Sequence, residues 1–262
     1  MEGAPARVAL RDQAAFRLTG AFQFIPPDAA RRYLQAYERY APDDMVGMLM
    51  QAGREEWHAT IRMVRGGFVD TNAFAKIEMD DFLRALRKTI DAQNKERVAR
   101  DLPPREGVDW LIPPKHDRDA RAIVWSVLTS NKSALRDRDQ VSSAFVALFG
   151  REVQIVVEIV APATIIHNNP QDVSSIVELM RFVEGKRYQD FLPGKDVVSA
   201  DGLLPLLGVA AIERRSWTDD LGDGDTIVAL ALGGLLAVGG GALGIVLFVD
   251  GRRDKAARNR RR

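Results

Sequence analysis

The feature that most constrains this chain is an uncharged, apolar segment near its C-terminus. The segment begins at Thr226 and ends at Val249, and 13 of its 24 residues are Leu, Ile, Val or Phe. A helix of this length spans about 36 Å, and the hydrocarbon core of a bilayer is about 30 Å thick. The sequence therefore predicts one transmembrane helix, because a core helix of this length rarely lacks a polar face.

Small residues recur at every fourth position of this segment, at Ala229, Gly233, Ala237 and Gly241. Such a stripe lets two helix backbones approach closely, and it predicts self-association of the anchor into a homodimer. Small residues are also simply common in membrane helices, so the stripe fits an unpaired anchor as well. The sequence leaves both interpretations open.

The charges on either side of the segment predict its orientation. Residues 250–262 carry seven basic and two acidic side chains, whereas residues 217–225 carry only acidic ones. Lys and Arg near a span stay on the cytoplasmic side, so we expect the tail inside and the large domain outside. This arrangement describes a single-pass membrane protein with its tail close to anionic lipid, and together with the family resemblance given below it predicts the bacterial cytoplasmic (inner) membrane as its location.

An exported domain needs an export signal, and the first residues of the chain do not supply one. Residues 1–7 contain no basic region followed by an apolar run. Two explanations stay open. Either the signal is missing from this chain, or the protein is tail-anchored and its domain lies in the cytoplasm.

Composition limits the remaining classes of protein. The chain has no Cys, which excludes disulfides, thiol nucleophiles and thiolate metal sites. Its net charge is +1 and its only dense basic run is the tail, which argues against nucleic-acid binding. We expect residues 1–198 to form one globular domain, and residues 199–225 to form a membrane-proximal segment with an acidic linker.

Three amphipathic helices are predicted in the domain. The first follows Pro26, the second begins at Asp80, and the third follows Asn169 and runs up to Gly185. Each has apolar residues at the i, i+3, i+4 and i+7 spacing and one polar face. Helices of this kind cover another layer of structure.

The covered layer is predicted to be an antiparallel sheet. Its strands, rich in β-branched and aromatic residues, are predicted at residues 8–18 (a pair), 45–50, 57–64, 122–128, 143–149 and 152–160. Gly150 and Arg151 separate the last two as a hairpin turn. Because no helix interrupts residues 122–160, the fold class is predicted as α+β, an antiparallel sheet covered by about three helices.

A second apolar patch lies at residues 203–212, interrupted by Pro205 and Gly208. It is too short to span a bilayer. It either packs on the domain or lies in the membrane interface, for which the nearby Arg215 and Trp217 are suited.

No motif establishes a reaction. His58, His116 and His167 lack the spacing of a metal site, and residues 219–225 lack the alternate ligands and closing Glu of an EF-hand. We therefore predict no catalytic residue, no cofactor and no metal site. Asn94 falls in the apolar stripe of the second helix, which predicts a structural polar contact to a strand.

Five short motifs are distributed along the domain. They are Asn94-Lys95-Glu96-Arg97, Trp110 with Pro113-Pro114 and Asp117, Trp125, Leu148-Phe149-Gly150-Arg151-Glu152, and Gly185-Lys186-Arg187-Tyr188-Gln189-Asp190-Phe191. Together they resemble a bacterial family of uncharacterised, membrane-anchored proteins that contain a domain of unknown function. The resemblance implies an export signal, one domain and a C-terminal membrane helix, and it carries over no catalytic residue.

The last of these motifs also has a physical interpretation. Gly185 is suited to end a helix in the left-handed conformation, after which Tyr188 and Phe191 pin the next segment to the core. The basic pair Lys186 and Arg187 is then a candidate recognition loop, because loops carry function disproportionately.

Two functions fit these observations. The first is an envelope protein whose domain binds a partner protein or an envelope component, or has a structural role, without catalysis. The second is a membrane-tethered hydrolase with an unrecognised site. Two histidines within ligand distance of each other would favour the second.

The predicted orientation is testable by reporter fusions to the natural protein, including the sequence encoded upstream. We expect a fusion at the N-terminal end to be active outside the cytoplasm and a fusion after residue 262 to be active inside, because the basic tail is retained. A cytoplasmic N-terminal end would instead support the tail-anchored alternative.

Overall fold

The computed structural model describes residues 6–36, 41–51, 54–99, 104–131 and 141–207. The predicted anchor, its stripe at Ala229, Gly233, Ala237 and Gly241, and the basic tail lie outside the described residues. Among the residues described, no helix combines the length and the apolar composition needed to cross a bilayer.

The described residues form ten strands, four α-helices and short 3-10 helices at Thr71–Lys76, Tyr188–Asp190 and Leu204–Leu207. In chain order the main elements are β1 (Ala6–Leu10), β2 (Ala14–Leu18), β3 (Phe22–Ile25), α1 (Pro27–Ala36), β4 (Met45–Gln51), β5 (Arg54–Arg65), α2 (Met79–Ala99), β6 (Arg105–Asp117), β7 (Ala122–Asn131), β8 (Val141–Phe149), β9 (Val153–Pro162), α3 (Ala163–Asn168), α4 (Pro170–Leu179) and β10 (Met180–Phe182).

Two antiparallel sheets organise these elements. The central sheet has seven strands in the order β3-β4-β5-β9-β8-β7-β6, and the small sheet has the order β1-β2-β10. Each pair of neighbouring strands is antiparallel. The predicted α+β class with an antiparallel sheet is confirmed, as is the hairpin between β8 and β9.

Side chains of the central sheet alternate between two buried faces. The first face carries Trp57, Ile61 and Ile155, and it is covered by the small sheet together with α3 and α4. The second face carries Trp125 and Phe145, whose rings stack with centroids 5.0 Å apart beneath α2. Strand β9 is buried along nearly its whole length, because each of its faces meets a covering layer.

A polar stripe divides the second face. On one side α1 packs against Met45 and Met48, and on the other side α2 packs over β6, β7 and β8. Between these clusters lie His58, Thr60, Arg62 and Glu158, each no more than 4% exposed. Thr60 and Glu158 are direct cross-strand partners on β5 and β9. The second face therefore contains two apolar clusters separated by buried polar side chains.

The third predicted helix ends earlier than the sequence indicated. It stops at Leu179, and Met180–Phe182 forms β10, which pairs with β2. The apolar spacing that predicted a helix up to Gly185 also suits a strand over three residues. Pairing with β2 satisfies the backbone hydrogen bonds of this segment, and that tertiary contact decides between the two.

Besides β10 and the 3-10 helices, three elements were not predicted: α3, β3 and β6. Strand β6 contains Pro113 and Pro114, which normally argue against a strand. It lies at the edge of the sheet and shows a register shift between Ile112 and Lys115, around the two prolines. An edge strand tolerates residues that cannot donate to a ladder.

The apolar patch after residue 202 packs on the domain as far as it is described. Leu203, Leu206 and Leu207 are at most 6% exposed and join the cluster beneath α2. The alternative of an interfacial position is therefore wrong for these three residues. Residues 208–212 lie outside the described part.

Asn94 makes the contact to a strand that its position predicted. Its Nδ2 donates to the carbonyl oxygen of Arg105 at 2.8 Å, and its Oδ1 accepts from the Arg105 amide at 2.8 Å. One side chain thus joins α2 to the first residue of β6 in the manner of a neighbouring strand.

We expect Asn94→Ala to lower the free energy of unfolding by about 1–3 kcal/mol, because the polar groups of the buried Arg105 backbone lose both partners. Urea denaturation of the full chain in a non-ionic detergent measures this change. Lys95→Ala, the exposed neighbour on the same helix, is the matched control and should be nearly neutral. Equal effects of the two substitutions would show that the Asn94 contact adds no stability.

Candidate functional site

The two longest sequence motifs lie directly against each other. Gly150, in the turn between β8 and β9, forms a β-bridge with Arg187, and the Arg151 amide donates to the Lys186 carbonyl at 2.9 Å. A Cβ at Gly150 would lie 2.5 Å from the Phe182 ring and 2.9 Å from the Lys186 oxygen. Only glycine allows this approach of the two backbones. We refer to residues 185–198 as the docked loop.

An ion pair holds the far end of the docked loop. Arg151 donates through Nε and Nη2 to the two carboxylate oxygens of Asp196, both at 2.7 Å, and Asp196 also accepts the Leu192 amide at 2.7 Å. These hydrogen bonds, that of Arg151 foremost, lower the pKa of Asp196. The paired geometry is the strongest form of arginine recognition.

Aromatic side chains attach the middle of the docked loop to the core. The Phe191 ring stacks on Phe68 with centroids 3.8 Å apart, and the Tyr188 ring lies 4.7 Å from the same ring. The Tyr188 hydroxyl accepts the Thr71 amide at 3.2 Å. The predicted pinning by Tyr188 and Phe191 is confirmed. Gly185 has the expected positive φ of 78°, but it follows a strand and does not end a helix.

The candidate recognition residues Lys186 and Arg187 both form ion pairs. Lys186 Nζ lies 3.0 Å from Glu152, and Arg187 Nε lies 3.0 Å from Asp190. Hydrogen bonding by Arg187 lowers the pKa of Asp190. Their charges are thus partly neutralised, and of the two only Arg187 contributes to the groove described next.

A groove of about 570 Å³ opens between the β6–β7 hairpin and the layer formed by α4 and β10. Its apolar floor consists of Ile112, Val124, Leu148, Val177, Met180 and Phe182. Its charged rim consists of Lys115, Arg121, Arg181, Arg187, Asp117, Asp119 and Glu178. The volume is that of a typical small-ligand site.

Three rim cations form no ion pair within the described ranges: Lys115, Arg121 and Arg181. The Arg121 guanidinium lies 4.7 Å from the centroid of the Tyr188 ring, and Arg181 Nη1 donates to the carbonyl oxygens of Val177 and Met180. These three cations are therefore available to a ligand, although Asp117, Asp119 and Glu178 lie on the same rim. An apolar floor beside such a rim suits a ligand with an apolar part and an anionic group.

The hairpin turn that carries Arg121 is internally braced. Asp117 Oδ1 accepts the amides of Asp119 and Ala120 at 3.0 and 2.9 Å, and the Arg121 carbonyl accepts the Phe149 amide at 3.0 Å. Arg121 itself has a positive φ of 51°. Sequence reasoning did not identify the groove, because its lining comes from segments far apart in the chain.

The histidines do not form a common site. His58 lies on β5 and His116 on β6, and these two strands are four strand spacings, about 19 Å, apart in the sheet. The exposed His167 lies on α3, over the other face. Burial, followed by Arg118 and Arg121, lowers the pKa of His116. Within the described residues, no group of three His, Asp or Glu side chains is arranged to hold a metal.

A second cavity, of about 520 Å³, lies where β5 ends. Arg62 lines it and pairs with Asp44 through two hydrogen bonds of 2.7 and 2.8 Å. The charged residues around it are three arginines and three aspartates: Arg11, Arg62, Arg65, Asp43, Asp44 and Asp201. Arg62 of this cavity is already paired with Asp44, whereas Lys115, Arg121 and Arg181 of the groove are in no ion pair within the described ranges, so the groove at the β6–β7 hairpin is the stronger candidate site.

A family of proteins with no assigned function matches most of the chain. Its description is "Protein of unknown function (DUF2167)", and the match covers residues 2–218. No curated protein matches the chain. A solved structure, cyanobacterial PsbP (CyanoP) from Synechocystis sp. PCC 6803, is similar over 69% of this chain and 94% of that chain, with 7% identity and a TM-score of 0.40. A likeness this weak supports no inference about function.

We expect Asp196→Asn to lower the melting temperature of the domain at neutral pH, and we expect this difference from wild type to shrink as the pH falls. The pKa of Asp196 is lower in the folded than in the unfolded state, so its contribution is fully present above about pH 4 and is lost as the pH falls through its folded pKa. Melting temperatures of wild type and variant between pH 7 and pH 2 should therefore converge.

Asp119→Asn is the control for this experiment, because it removes an exposed carboxylate that forms no ion pair in the described part of the chain. A difference between wild type and Asp196→Asn that stays constant across this pH range would contradict a stabilising ionised Asp196.

Proposed function

Because this chain belongs to the DUF2167 family of proteins of unknown function, we propose a function from the groove and from the sequence of residues 226–249. The protein is a binding module of the bacterial envelope, held on the membrane by residues 226–249. Its ligand is an envelope component with an apolar part and an anionic group. The rim cations Lys115, Arg121 and Arg181 beside an apolar floor carry this proposal.

Rigidity supports a binding role. The groove walls are the braced hairpin turn at Arg121 and the docked loop at Tyr188, and the guanidinium of the first lies over the ring of the second. A site whose walls are already in place loses little conformational entropy when a ligand binds. Arg121 and Tyr188 therefore contribute both to the shape of the groove and to its charge.

The hydrolase alternative has less support. Two histidines within ligand distance of each other would have favoured a hydrolase, but His58, His116 and His167 lie on separate parts of the described fold. The lining of the groove, as far as the chain is described, contains no histidine. Of its acidic residues Asp117, Asp119 and Glu178, the first holds the hairpin turn through hydrogen bonds to backbone amides.

The membrane part of the proposal comes from the sequence. Residues 226–249 contact the bilayer, the basic tail lies near anionic lipid in the cytoplasm, and the domain faces the other side of the inner membrane. Pairing through Gly233 and Gly241 would make the protein a homodimer. A tail-anchored protein with its domain in the cytoplasm is the alternative that reporter fusions distinguish.

The groove is testable with short amphiphiles of opposite charge. The chain contains no Cys, so Gln189→Cys in the groove lining provides a unique site for an environment-sensitive fluorophore. With the full chain in phosphatidylcholine nanodiscs, we expect hexyl phosphate to change the emission saturably and hexyltrimethylammonium to have little effect. Arg121→Gln with Arg181→Gln should weaken hexyl phosphate binding about tenfold, the effect of losing about 1.4 kcal/mol.

The matched control is Arg7→Gln with Arg17→Gln, which removes two exposed cross-strand arginines away from the groove and changes the net charge equally. This control should bind hexyl phosphate as wild type does. Equal emission changes with both amphiphiles, or an equal loss of hexyl phosphate affinity in both double variants, would contradict the proposed site for anionic ligands.

A further inference from the structure

The docked loop presents apolar side chains to solvent. Leu192, Val197 and Val198 are 44%, 74% and 58% exposed. They are three of the four large hydrophobic residues that are exposed in the described ranges. Pro193 between them is exposed too. Clustered apolar exposure of this kind marks an interaction surface more often than scattered single residues do.

The loop cannot fold these side chains inward. The Phe68 amide donates to the Val197 carbonyl at 2.8 Å, the Ser199 amide donates to the Phe68 carbonyl at 2.7 Å, and Asp196 is held by Arg151. Gly67 passes so close that a Cβ there would lie 2.5 Å from the Val197 oxygen. The backbone is thus fixed on both sides of the two valines while their side chains remain in water.

The apolar residues that follow the docked loop in the chain are buried, not exposed. Leu203, Leu206 and Leu207 are buried under α2, and Leu207, the last described residue, comes nine residues after Val198. Only 18 residues then separate Leu207 from Thr226, where the predicted membrane segment begins. The exposed surface and the start of the anchor are therefore close along the chain.

We propose that Leu192, Val197 and Val198 insert into the interfacial layer of the bilayer that holds the anchor. Lys195, exposed at the tip of the same loop and in no ion pair within the described part, contacts lipid phosphate. This contact gives the domain one fixed orientation on the membrane. The inference rests on the proposed membrane anchoring and adds to it a defined contact surface.

The orientation has a consequence for the groove. Arg187 and Tyr188 of the docked loop form part of the groove wall, and Leu192 to Val198 continue directly from it. A bilayer beneath the loop places the groove near the lipid surface. An amphiphilic, anionic ligand is then available from the membrane itself.

The proposal is tested by depth-dependent quenching. Val197→Cys, labelled with a small fluorophore, is placed in the full chain and reconstituted into vesicles of phosphatidylcholine and phosphatidylglycerol. We expect quenching by a doxyl-labelled lipid and protection from aqueous iodide. Gln35→Cys, on the exposed face of α1, is the control and should show the opposite behaviour.

A second variant separates insertion from the effect of the label. Leu192→Asp with Val198→Asp, in the Val197→Cys background, should reduce lipid quenching at least about twofold while the chain still floats with the vesicles, because Asp is costly to place in apolar surroundings. The substituted side chains are exposed, so the fold is expected to persist.

The outcomes distinguish this inference from the anchoring on which it rests. If the full chain does not float with vesicles, anchoring itself fails. If the chain floats but the label at Val197 is reached by iodide and not by doxyl lipid, the loop contact is wrong and anchoring stands. If the label is protected from both quenchers, a second protein surface covers the loop, and the bilayer contact is equally overturned.

Discussion

The ion pair between Arg151 and Asp196 holds the docked loop in place, and both proposed contact surfaces of the domain depend on this loop. It joins the turn after β8 to the end of the docked loop through two hydrogen bonds of 2.7 Å. The close approach of Gly150 to Phe182 and Lys186 brings the loop within reach, and the Phe68 and Phe191 rings hold it there. Removing either side chain would leave the other charge, which is largely shielded from water, without its ion-pair partner, and this costs more than the pair itself contributes.

Both proposals concern surfaces that this segment supports. Tyr188 and Arg187 stand in the groove wall, while Val197 and Val198 project from the other end of the same loop. The proposed recognition and the proposed membrane contact would then be coupled through a short piece of backbone held by hydrogen bonds at both ends. Such an arrangement is physically reasonable in a small domain, because the hydrogen bonds of one loop order both surfaces. The family itself has no assigned function, so the coupling is a hypothesis to be tested on its members.

Local sequence patterns predicted most of the helices and strands, but not which strands pair with one another. The starts of α1 and α2 follow proline and aspartate signals, and β4, β5, β7, β8 and β9 carry the β-branched and aromatic runs that predicted them. Met180 shows where such reasoning ends, because its helical spacing is overridden by pairing with Phe16 on β2. Strand β6 shows the opposite case, in which an edge position tolerates prolines that local reasoning takes as breaks.

The sequence by itself determined the α+β class, the structural contact of Asn94 and the pinning roles of Tyr188 and Phe191, because each depends on residue type and spacing along one segment. It is also the only source of the predicted membrane anchor. The tertiary structure decided what no spacing encodes. It placed Lys115, Arg121 and Arg181 around one groove, kept the histidines apart, buried Leu203 and exposed Val197. These outcomes depend on contacts between distant segments, and such contacts exist only once the sheet has assembled.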